Sequence, residues 1–571
     1  MSNSKIKIIP LGGVQEIGIN CTAIEYNDEI TVIDVGLGFP LSDQYGVDYV
    51  IPNIDYLKRN KDKIQGIIIT HAHLDHIGAL PYVIEDLGFP EIFASRFSIE
   101  VIRQKLEEHE LMEKVNIRVV TKESKLASGS FEISFFGVTH SIPESMGVII
   151  KTPAGTIVHT GDFKFDNSPM NEPVSEYDRI AKTGSEGVLA LLSDSTNSFK
   201  SGHSSSERVI YETLKGIVEN AEGRVIVATF SSLLTRLYQL ITIAQETGRK
   251  VAVAGRSMEN IIAVARKLNY IDVPDNLFVQ DRNIKSLPDD KVLILATGAQ
   301  GEHFAALARM ARGDHKELDI KKGDTVILSA SIIPGNDMLV QGLIDDLSEK
   351  GATVFHKAEI MDLHSSGHGY QEDQKLMINL VKPKFFIPVH GYPSFLHKHA
   401  QTAISVGVDP KHTIVAKRGD VIELDNDNWQ IKKHVKANPV LVSGSGVGDI
   451  GEVVLSDREQ LANYGVVVIS ASVDVAARRA TDVQIISRGF VFVKTHQDLI
   501  DRIAETARKS IESDVKDHSS EREIRDRISR SVRKLLYDET EREPMILTVL
   551  NLFNRGSRKN SSKEKKSAQA S

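Results

Sequence analysis

Gly66-Ile67-Ile68-Ile69-Thr70-His71-Ala72-His73-Leu74-Asp75-His76 decides how this chain is read. Apolar and small residues lead into three histidines and an aspartate, and Ile77-Gly78-Ala79-Leu80-Pro81-Tyr82-Val83-Ile84 follows with helix-like apolar spacing. The pattern predicts a strand-to-helix turn. Side chains two apart on an extended backbone share a face, and the start of a helix redirects the next pair, so the imidazoles and the carboxylate can converge. Neutral nitrogen and anionic oxygen at one point suit a divalent transition metal. His71 and His73 can serve one ion while Asp75 and His76 serve its neighbour. The alternative is a surface loop that merely happens to be rich in histidine, and buried-strand ends rarely carry such clusters.

A chain of 571 residues has room for several domains and more than one hydrophobic core. Hydrophobic residues make up 41% and charged residues 26%. No apolar run approaches the roughly 18 residues that span a bilayer. Met1 to Lys5 runs into strand-like Ile6-Lys7-Ile8-Ile9 without the apolar core of a secretory signal, so a cytoplasmic protein with no membrane partner is expected. The single cysteine, Cys21, excludes an intrachain disulfide and a cysteine-rich zinc site, which leaves histidine and carboxylate as metal ligands. A formal net charge of -8 argues against indiscriminate nucleic-acid binding, yet it does not exclude a basic channel inside an acidic protein.

In chain order, short strands separated by glycine turns are expected at Lys5 to Leu11, Cys21 to Tyr26 and Glu29 to Asp34. Asp34 ends its strand near the metal turn, where it either closes a turn or orients a metal ligand from behind. The strand from Phe131 to Phe136 leads to His140, and Gly155 to Thr160 leads to Gly161-Asp162. One His and one Asp thus arrive at strand ends, from which a sheet offers groups to a common rim. His159 receives no role, because a core histidine satisfied by backbone explains it.

Between Asp194 and His364 helices and strands alternate: Glu207 to Asn220, Arg224 to Thr229, Ser232 to Thr247, Lys250 to Ala254, Val292 to Ala296, Phe304 to Met310, Thr325 to Leu328 and Met338 to Glu349. This predicts a parallel, doubly wound insert. Its strand ends carry Thr229-Phe230-Ser231-Ser232, Thr297-Gly298-Ala299-Gln300 and Ser329-Ala330-Ser331, and Ser366-Gly367 arrives nearby. Such residues let backbone amides approach a phosphate, with ordinary loop polarity as the alternative. Phe385 to Val389 is a buried strand delivering His390, followed by strands near His412 to Ala416 and Val421 to Leu424. A linker is expected at 433–451, then a small α/β unit with strands near Gly465 to Ser470, Val483 to Ser487 and Met545 to Leu550, and helices at Gln497 to Ser513 and Glu521 to Leu536. The basic tail 554–571 is expected to be disordered, either holding RNA or ribosomal surfaces loosely or keeping the chain soluble.

His71, His73, Asp75, His76, His140 and Asp162, in that order after the strand end at Asp34, resemble the metallo-β-lactamase fold with its two-metal site. Leu191-Leu192-Ser193-Asp194-Ser195-Thr196-Asn197, His364-Ser365-Ser366-Gly367-His368 and Pro388-Val389-His390-Gly391 resemble the motifs of the β-CASP nucleases. With its C-terminal extension, the chain is similar to the bacterial ribonuclease J family from about Lys5 to Phe553. The fold so implied is α/β: a metallo-β-lactamase αββα sandwich (1–195 and 361–432), an inserted doubly wound parallel β-CASP domain (196–360) and a small C-terminal α/β domain (452–553).

The resemblance assigns His71, His73 and His140 to one ion and Asp75, His76 and His390 to the other, with Asp162 bridging. Two divalent ions are implied, zinc first, with manganese or magnesium as alternatives; such a pair activates water and holds the scissile phosphate. Asp75, Asp194 and His368 form the catalytic set. Asp194 would hold a metal-bound histidine or the water, or else merely cap a helix, and His368 would donate a proton to the leaving group. A phosphate and RNA surface is expected from Ser231, Ser329, Ser331, His364, Ser365 and Ser366, completed by Gly367 and His368. The expected partner is single-stranded RNA with a 5′-monophosphate, cut 5′ to 3′ from the end with some internal cleavage. A homodimer or homotetramer, and a degradation complex or the ribosome, are further expected partners.

The chain departs from the family pattern in four places. Tyr392-Pro393-Ser394 follows His390-Gly391 where Glu-Tyr-Arg is common, Leu233 to Arg236 replaces a segment with Asn and His, and Ala299 and His303 stand where Ser and Pro are usual. Ser443 occupies a position where aspartate joins Gly46 and Asp48 around a structural calcium, which puts that calcium site in doubt. A DNA-directed β-CASP nuclease and a non-catalytic RNA-binding scaffold are the alternative functions; a small-molecule lactonase or thioesterase would not need the insert.

Overall fold

Strands rich in isoleucine and valine build the first sheet, because β-branched side chains pack well on a pleated surface. The computed structural model describes residues 5–553 except 42, 334, 445, 478, 492–495 and 517–519. Among these, eight strands lie in the order Trp429–His434, Asp420–Leu424, Ile6–Gly12, Cys21–Tyr26, Glu29–Ile33, Ile64–Ile68, Ile92–Ala94 and Ile117–Val119. A second sheet of six runs Pro383–Val389, Val188–Asp194, Gly155–His159, Met146–Thr152, Phe131–Gly137 and Lys125–Ser128. Ile6, Ile8, Ile24, Ile33 and Ile68 of the first sheet share one core with Phe135, Val148, Leu192 and Phe385 of the second. Successive side chains point to opposite faces, so Phe136, Ile149, Val158, Leu191 and Phe386 enter another core with Met377, Ile378 and Ala403 of the helices Gln371–Val381 and Pro393–Ser405. Ile67 and Ile68 are neighbours and both fully buried, so the first sheet is covered on both faces too. This is the expected αββα sandwich.

The chain leaves the second sheet at Asp194 and returns beside it. Val188–Asp194 and Pro383–Val389 pair in parallel, with Asp194 opposite Val389, which sets His390 next to Asp194. An insertion lies between. It holds a parallel sheet ordered Lys250–Ala254, Val292–Ala296, Val225–Ala228, Thr325–Leu328 and Thr353–His356. Helix Arg256–Lys267 and strand Thr353–His356 lie in it beyond the expected elements. The strand is an edge with no fully buried residue, which is why it lacks the apolar run that marks its neighbours. The expected strand at His412 to Ala416 reduces to one bridge, Phe386 to Thr413, after the short helix Pro410–His412. The helix expected after His76 is two short ones, Leu74–Ile77 and Leu80–Val83.

The chain divides into two compact units, and all of the above lies in the first. The second takes Pro40–Tyr49 together with the chain from Leu441 on. Within the stretch expected as linker, Val442 and Ser443 pair with Val447 and Gly446, and Trp429–His434 just before belongs to the first sheet. Helix Glu452–Tyr464 follows; none of its residues is buried, so it lacks the apolar stripe that announces a helix. Val466–Asp474 pairs antiparallel with Arg479–Arg488 and in parallel with Met545–Phe553. Helices Gln497–Lys516 and Glu521–Thr540 pack Ile503, Ala507, Ile528 and Val532 against Val467 and Ile469. The tail 554–571 lies outside the described residues. No helix of the described residues is long and apolar enough to cross a membrane.

Gly36 lies against the histidine turn: a Cβ there would stand 1.6 Å from the Asp75 carbonyl oxygen and 2.8 Å from the His76 nitrogen. Backbone cannot yield as a flexible side chain would. Gly36→Ala should therefore displace the turn, costing about 1–3 kcal/mol and lowering metal content. Thermal unfolding and metal analysis of the purified variant read both effects; wild-type values in each would contradict the tight approach.

Candidate metal centre

Five strand ends deliver the ligands to one rim. His71, His73, Asp75 and His76 follow Ile64–Ile68, His140 follows Phe131–Gly137, Asp162 follows Gly155–His159, Asp194 ends its strand, and His390 follows Pro383–Val389. His390 adopts a positive φ of 52°, turning its ring out of the strand line. The side chains form three groups that share Asp162: His71, His73, His140 and Asp162; Asp75, His76, Asp162 and His390; and Asp162, Asp194, His368 and His390, the last overlapping the second at His390. Within each group the donor atoms all lie within 4.8 Å of one another.

Hydrogen bonds outside the rim decide which ring nitrogen faces inward. His76 Nδ1 lies 2.7 Å from Asp34 Oδ2 and His140 Nδ1 lies 2.6 Å from the Gly367 carbonyl oxygen, so both donate outward and leave Nε2 to the centre. His71 Nδ1 sits 3.0 Å from Thr70 Oγ1, whose own hydroxyl donates to Asp34 at 2.9 Å. His71 Nε2 and His140 Nε2 then both face His73 Nδ1 at 3.1 Å. Lone pairs crowded in this way call for a cation, and a tetrahedral ion holds its ligands roughly 3.3 Å apart. His390 Nε2, 3.2 Å from Asp75 Oδ2, is buried without a hydrogen-bond partner, as a ligand nitrogen would be. The donor sets fit two divalent ions.

Asp34 thus orients His76, and its carboxylate also accepts the Thr70 backbone N–H at 2.8 Å. Asp194 holds His368 Nδ1 at 2.7 Å through Oδ2, while Oδ1 accepts the Thr196 N–H at 2.9 Å and lies 3.6 Å from His390 Nδ1. His159 accepts the Gly161 N–H at 3.0 Å and burial lowers it to about 4, in keeping with a satisfied core histidine.

The expected phosphate surface separates into two kinds of residue. Ser329 is fully buried; its hydroxyl donates to the Leu363 carbonyl at 2.7 Å and accepts from Arg236. Ser365 is buried as well, donating to the Ser205 carbonyl at 2.6 Å and accepting from Lys164 at 3.2 Å. Neither is brought to an open rim. Ser366 is half-buried, and its oxygen accepts from Asn197 Nδ2 at 2.8 Å and from the His368 N–H at 3.2 Å, which leaves its own proton to donate. Ser231 is half-buried after Val225–Ala228, and Ser331 accepts from Lys357 Nζ at 2.9 Å. A Cβ on Gly367 would lie 2.8 Å from His140 Nδ1, so only glycine lets that carbonyl hold the ring.

Several participants are given no individual role by the sequence. Asn20 Nδ2 lies 3.1 Å from His76 Nε2, and Thr196 and Asn197 brace Asp194 and Ser366. Glu207 is the hidden hub beneath the rim, 3.0 Å from Lys164 Nζ and 3.0 Å from Arg236 Nη2. Burial would raise its carboxyl, yet Lys164 and Arg236 together hold it down to about 2. The departure at Leu233 to Arg236 therefore places a guanidinium in the core, with Arg236 only 1% exposed.

Gly46 and Asp48, where the sequence puts a calcium site with Ser443 in doubt, are bonded to the protein's own donors. The Gly46 carbonyl accepts from Ser443 Oγ at 2.7 Å and from Arg458 Nη1 at 3.0 Å, and Asp48 Oδ2 accepts the Gly444 N–H at 2.7 Å. A guanidinium already supplies positive charge beside the Gly46 carbonyl, which disfavours a cation there.

Two sheets packed face to face, with paired His/Asp sites at their strand ends and a parallel insert, define a metallohydrolase of the metallo-β-lactamase class. Family models agree: the metallo-beta-lactamase superfamily matches residues 14–209 and the Zn-dependent metallo-hydrolase RNA specificity domain matches 356–414. The beta-CASP domain of ribonuclease J matches 222–347 and the ribonuclease J C-terminal domain 453–551. Ribonuclease J 1 of Streptococcus pyogenes serotype M3 is 41% identical, over 96% of this chain and 98% of its own. Ribonuclease J2 of Bacillus subtilis is 37% identical over 96% of this chain and 99% of its own, and ribonuclease J of Synechocystis is 39% identical over 95% and 86%. A crystal structure of a protein of unknown function from Enterococcus faecalis V583 shares the fold with a TM-score of 0.52 at 16% identity, covering 74% of this chain and 100% of that one. The chain belongs to the ribonuclease J family.

The first two groups differ in charge before any ion binds. His71 and His140 are held well below the ordinary histidine value by burial first and by neighbouring imidazoles next. Burial would do the same to His76 and His390, yet Asp162 foremost, with Asp75, holds both well above it. An ion entering the Asp75–His76–His390 group must therefore displace protons, and affinity there should climb as pH rises above the ordinary histidine range more steeply than at the His71–His73–His140 group. Calorimetric metal titrations in buffers of different ionisation heat measure the protons released; filling both groups without proton release would contradict this electrostatic picture.

Proposed function

We propose that this chain is a metal-dependent ribonuclease that hydrolyses single-stranded RNA from a 5′-monophosphorylated end, 5′ to 3′, with some internal cleavage. The observation that carries the reading is the meeting of two ligand groups on Asp162, beside His368 and the donating hydroxyl of Ser366. Two divalent ions, zinc first among them, would polarise the scissile phosphate, lower the pKa of a water and stabilise the leaving oxygen. His71, His73, His140 and Asp162 would hold one ion; Asp75, His76, His390 and Asp162 the other.

The remaining chemistry belongs to the chain's own side chains. Burial would lower His368, but Asp194 and then Asp162 hold it above the ordinary histidine value, which favours the protonated ring. With Nδ1 on Asp194, Nε2 is the nitrogen left to give that proton to a leaving oxygen. Ser366 and the backbone amides around Gly367 would hold the terminal phosphate and so set the register of cleavage. The family match to an RNA specificity domain over 356–414, which spans His364 to His390, supports RNA over DNA. Self-association through the second unit is supported by Ile486 and Leu547, opposite neighbours of Val468 on one sheet face and each 48% exposed.

Asp162→Ala should abolish hydrolysis and lower bound metal while the fold persists, since both groups lose a shared anion and keep crowded imidazoles. Turnover equal to wild type at full metal occupancy would sink the two-ion reading. Ser366→Ala should slow mononucleotide release from 5′-monophosphorylated RNA about tenfold or more. End-labelled RNA with 5′-monophosphate, 5′-triphosphate and 5′-hydroxyl ends, sized over time, tests direction and end preference together; equal rates from all three ends would overturn the proposed 5′ pocket.

A further inference from the structure

Tyr392, Phe395, Phe199, Lys200 and Tyr370 form a continuous strip beside the metal centre. The Tyr392 and Phe395 rings meet edge to face, 5.4 Å apart at 76°, and Phe395 and Phe199 lie 4.9 Å apart at 35°. The Lys200 ammonium extends the strip, 5.6 Å from the centre of the Phe199 ring and 5.0 Å from that of Tyr370. Three separate segments supply these side chains: Tyr392 stands two residues beyond His390, Tyr370 two beyond His368 and Phe199 five beyond Asp194. Hydrogen bonds fix the segments to one another. Ser198 Oγ donates to the Phe395 carbonyl at 2.8 Å, Gln371 Nε2 to the Ser198 carbonyl at 2.8 Å, and the Gln371 N–H to the Lys200 carbonyl at 3.0 Å.

Such an arrangement does little for the fold. Phe199 is 53% exposed and Tyr392 46%, although aromatic rings stabilise most when buried. Rings left in water beside a lysine call for a partner with both a flat apolar face and negative charge. Apolar side chains of a protein partner would cover the rings but strip Lys200 of water without supplying an anion. Single-stranded RNA meets both demands: every base has a π-face for a ring, and the phosphates beside it compensate the ammonium. Tyr392 also stands where glutamate is common in the family pattern, so a ring replaces a charge that would repel RNA at this edge.

We propose that this strip is a stacking platform for unpaired nucleobases of the RNA next to the scissile phosphate, with Tyr392 and Phe199 as the exposed rings that the bases cover. The platform rests on the ribonuclease reading given above and deepens it. It recognises a π-face rather than the identity of a base, so it holds the strand in place without selecting sequence. It is separate from the contact assigned to Ser366, because it takes bases and acts alike on substrates with any 5′ end.

The test titrates full-length, metal-loaded protein with a cleavage-resistant 2′-O-methyl RNA that carries 2-aminopurine at one position at a time. Stacking on a ring quenches this fluorophore, so wild type should quench it next to the scissile phosphate. Tyr392→Leu and Phe199→Leu, at unchanged metal content and unfolding temperature, should relieve the quenching and bind the RNA about tenfold less tightly, whereas Tyr392→Phe should behave as wild type. An abasic nucleotide at the quenched position should likewise weaken wild-type binding about tenfold and cost the leucine variants nothing further. If the abasic nucleotide costs wild type and both leucine variants alike, the platform is overturned while the ribonuclease reading stands. Leucine variants that bind RNA as wild type does but sediment as a smaller species would make the strip a protein interface and overturn the platform as well. If wild type neither binds nor cleaves RNA, the ribonuclease reading fails and the platform with it.

Discussion

A buried carboxylate shared by five imidazoles is the constraint on which the first unit depends. Asp162 is 3% exposed and lies 3.0 Å from a nitrogen of His390, 3.2 Å from His76, 3.6 Å from His71, 3.8 Å from His140 and 3.9 Å from His368. A carboxylate taken out of water must be compensated by positive charge and hydrogen bonds. The imidazoles supply part of that charge by holding protons, or ions supply it in their place. Because the rings come from both sheets of the sandwich and from its returning strand, the same requirement binds distant segments to one rim.

A second buried charge cluster lies beneath the rim. Glu207 stands on the first helix of the insert, Arg236 on the second and Lys164 just after Asp162, so one carboxylate ties the insert to the metal-binding sandwich. Ser365 and Ser329 are drawn into this network. Hydroxyl residues at strand ends serve either a ligand or the core. Where buried lysine and arginine need acceptors, the core takes them. Ser366, one residue on from Ser365, keeps its proton free because Asn197 and the His368 amide both donate to it.

The residues that could hold ions were legible because few side chains offer nitrogen or anionic oxygen to a cation, and the strand-to-turn spacing from His71 to His76 shows in the local sequence. The central strands of the sandwich and of the insert were legible for a similar reason: a strand buried on both faces is a continuous apolar run. Thr353–His356 and Glu452–Tyr464 escaped because an edge strand and a helix with no buried residue leave no such trace.

The sequence by itself determined which residues can hold ions and in what order the strands deliver them, since those properties lie in residue type and short-range spacing. Only the tertiary structure decided which ring nitrogen faces the centre, because the bonds that orient His76 and His140 come from Asp34 and Gly367, 42 and 227 residues away. It also decided that Ser329 and Ser365 turn inward and that Arg458 occupies the Gly46 carbonyl. Burial and charge pairing are properties of neighbours in space, and local sequence carries no record of a neighbour that arrives from another segment of the chain.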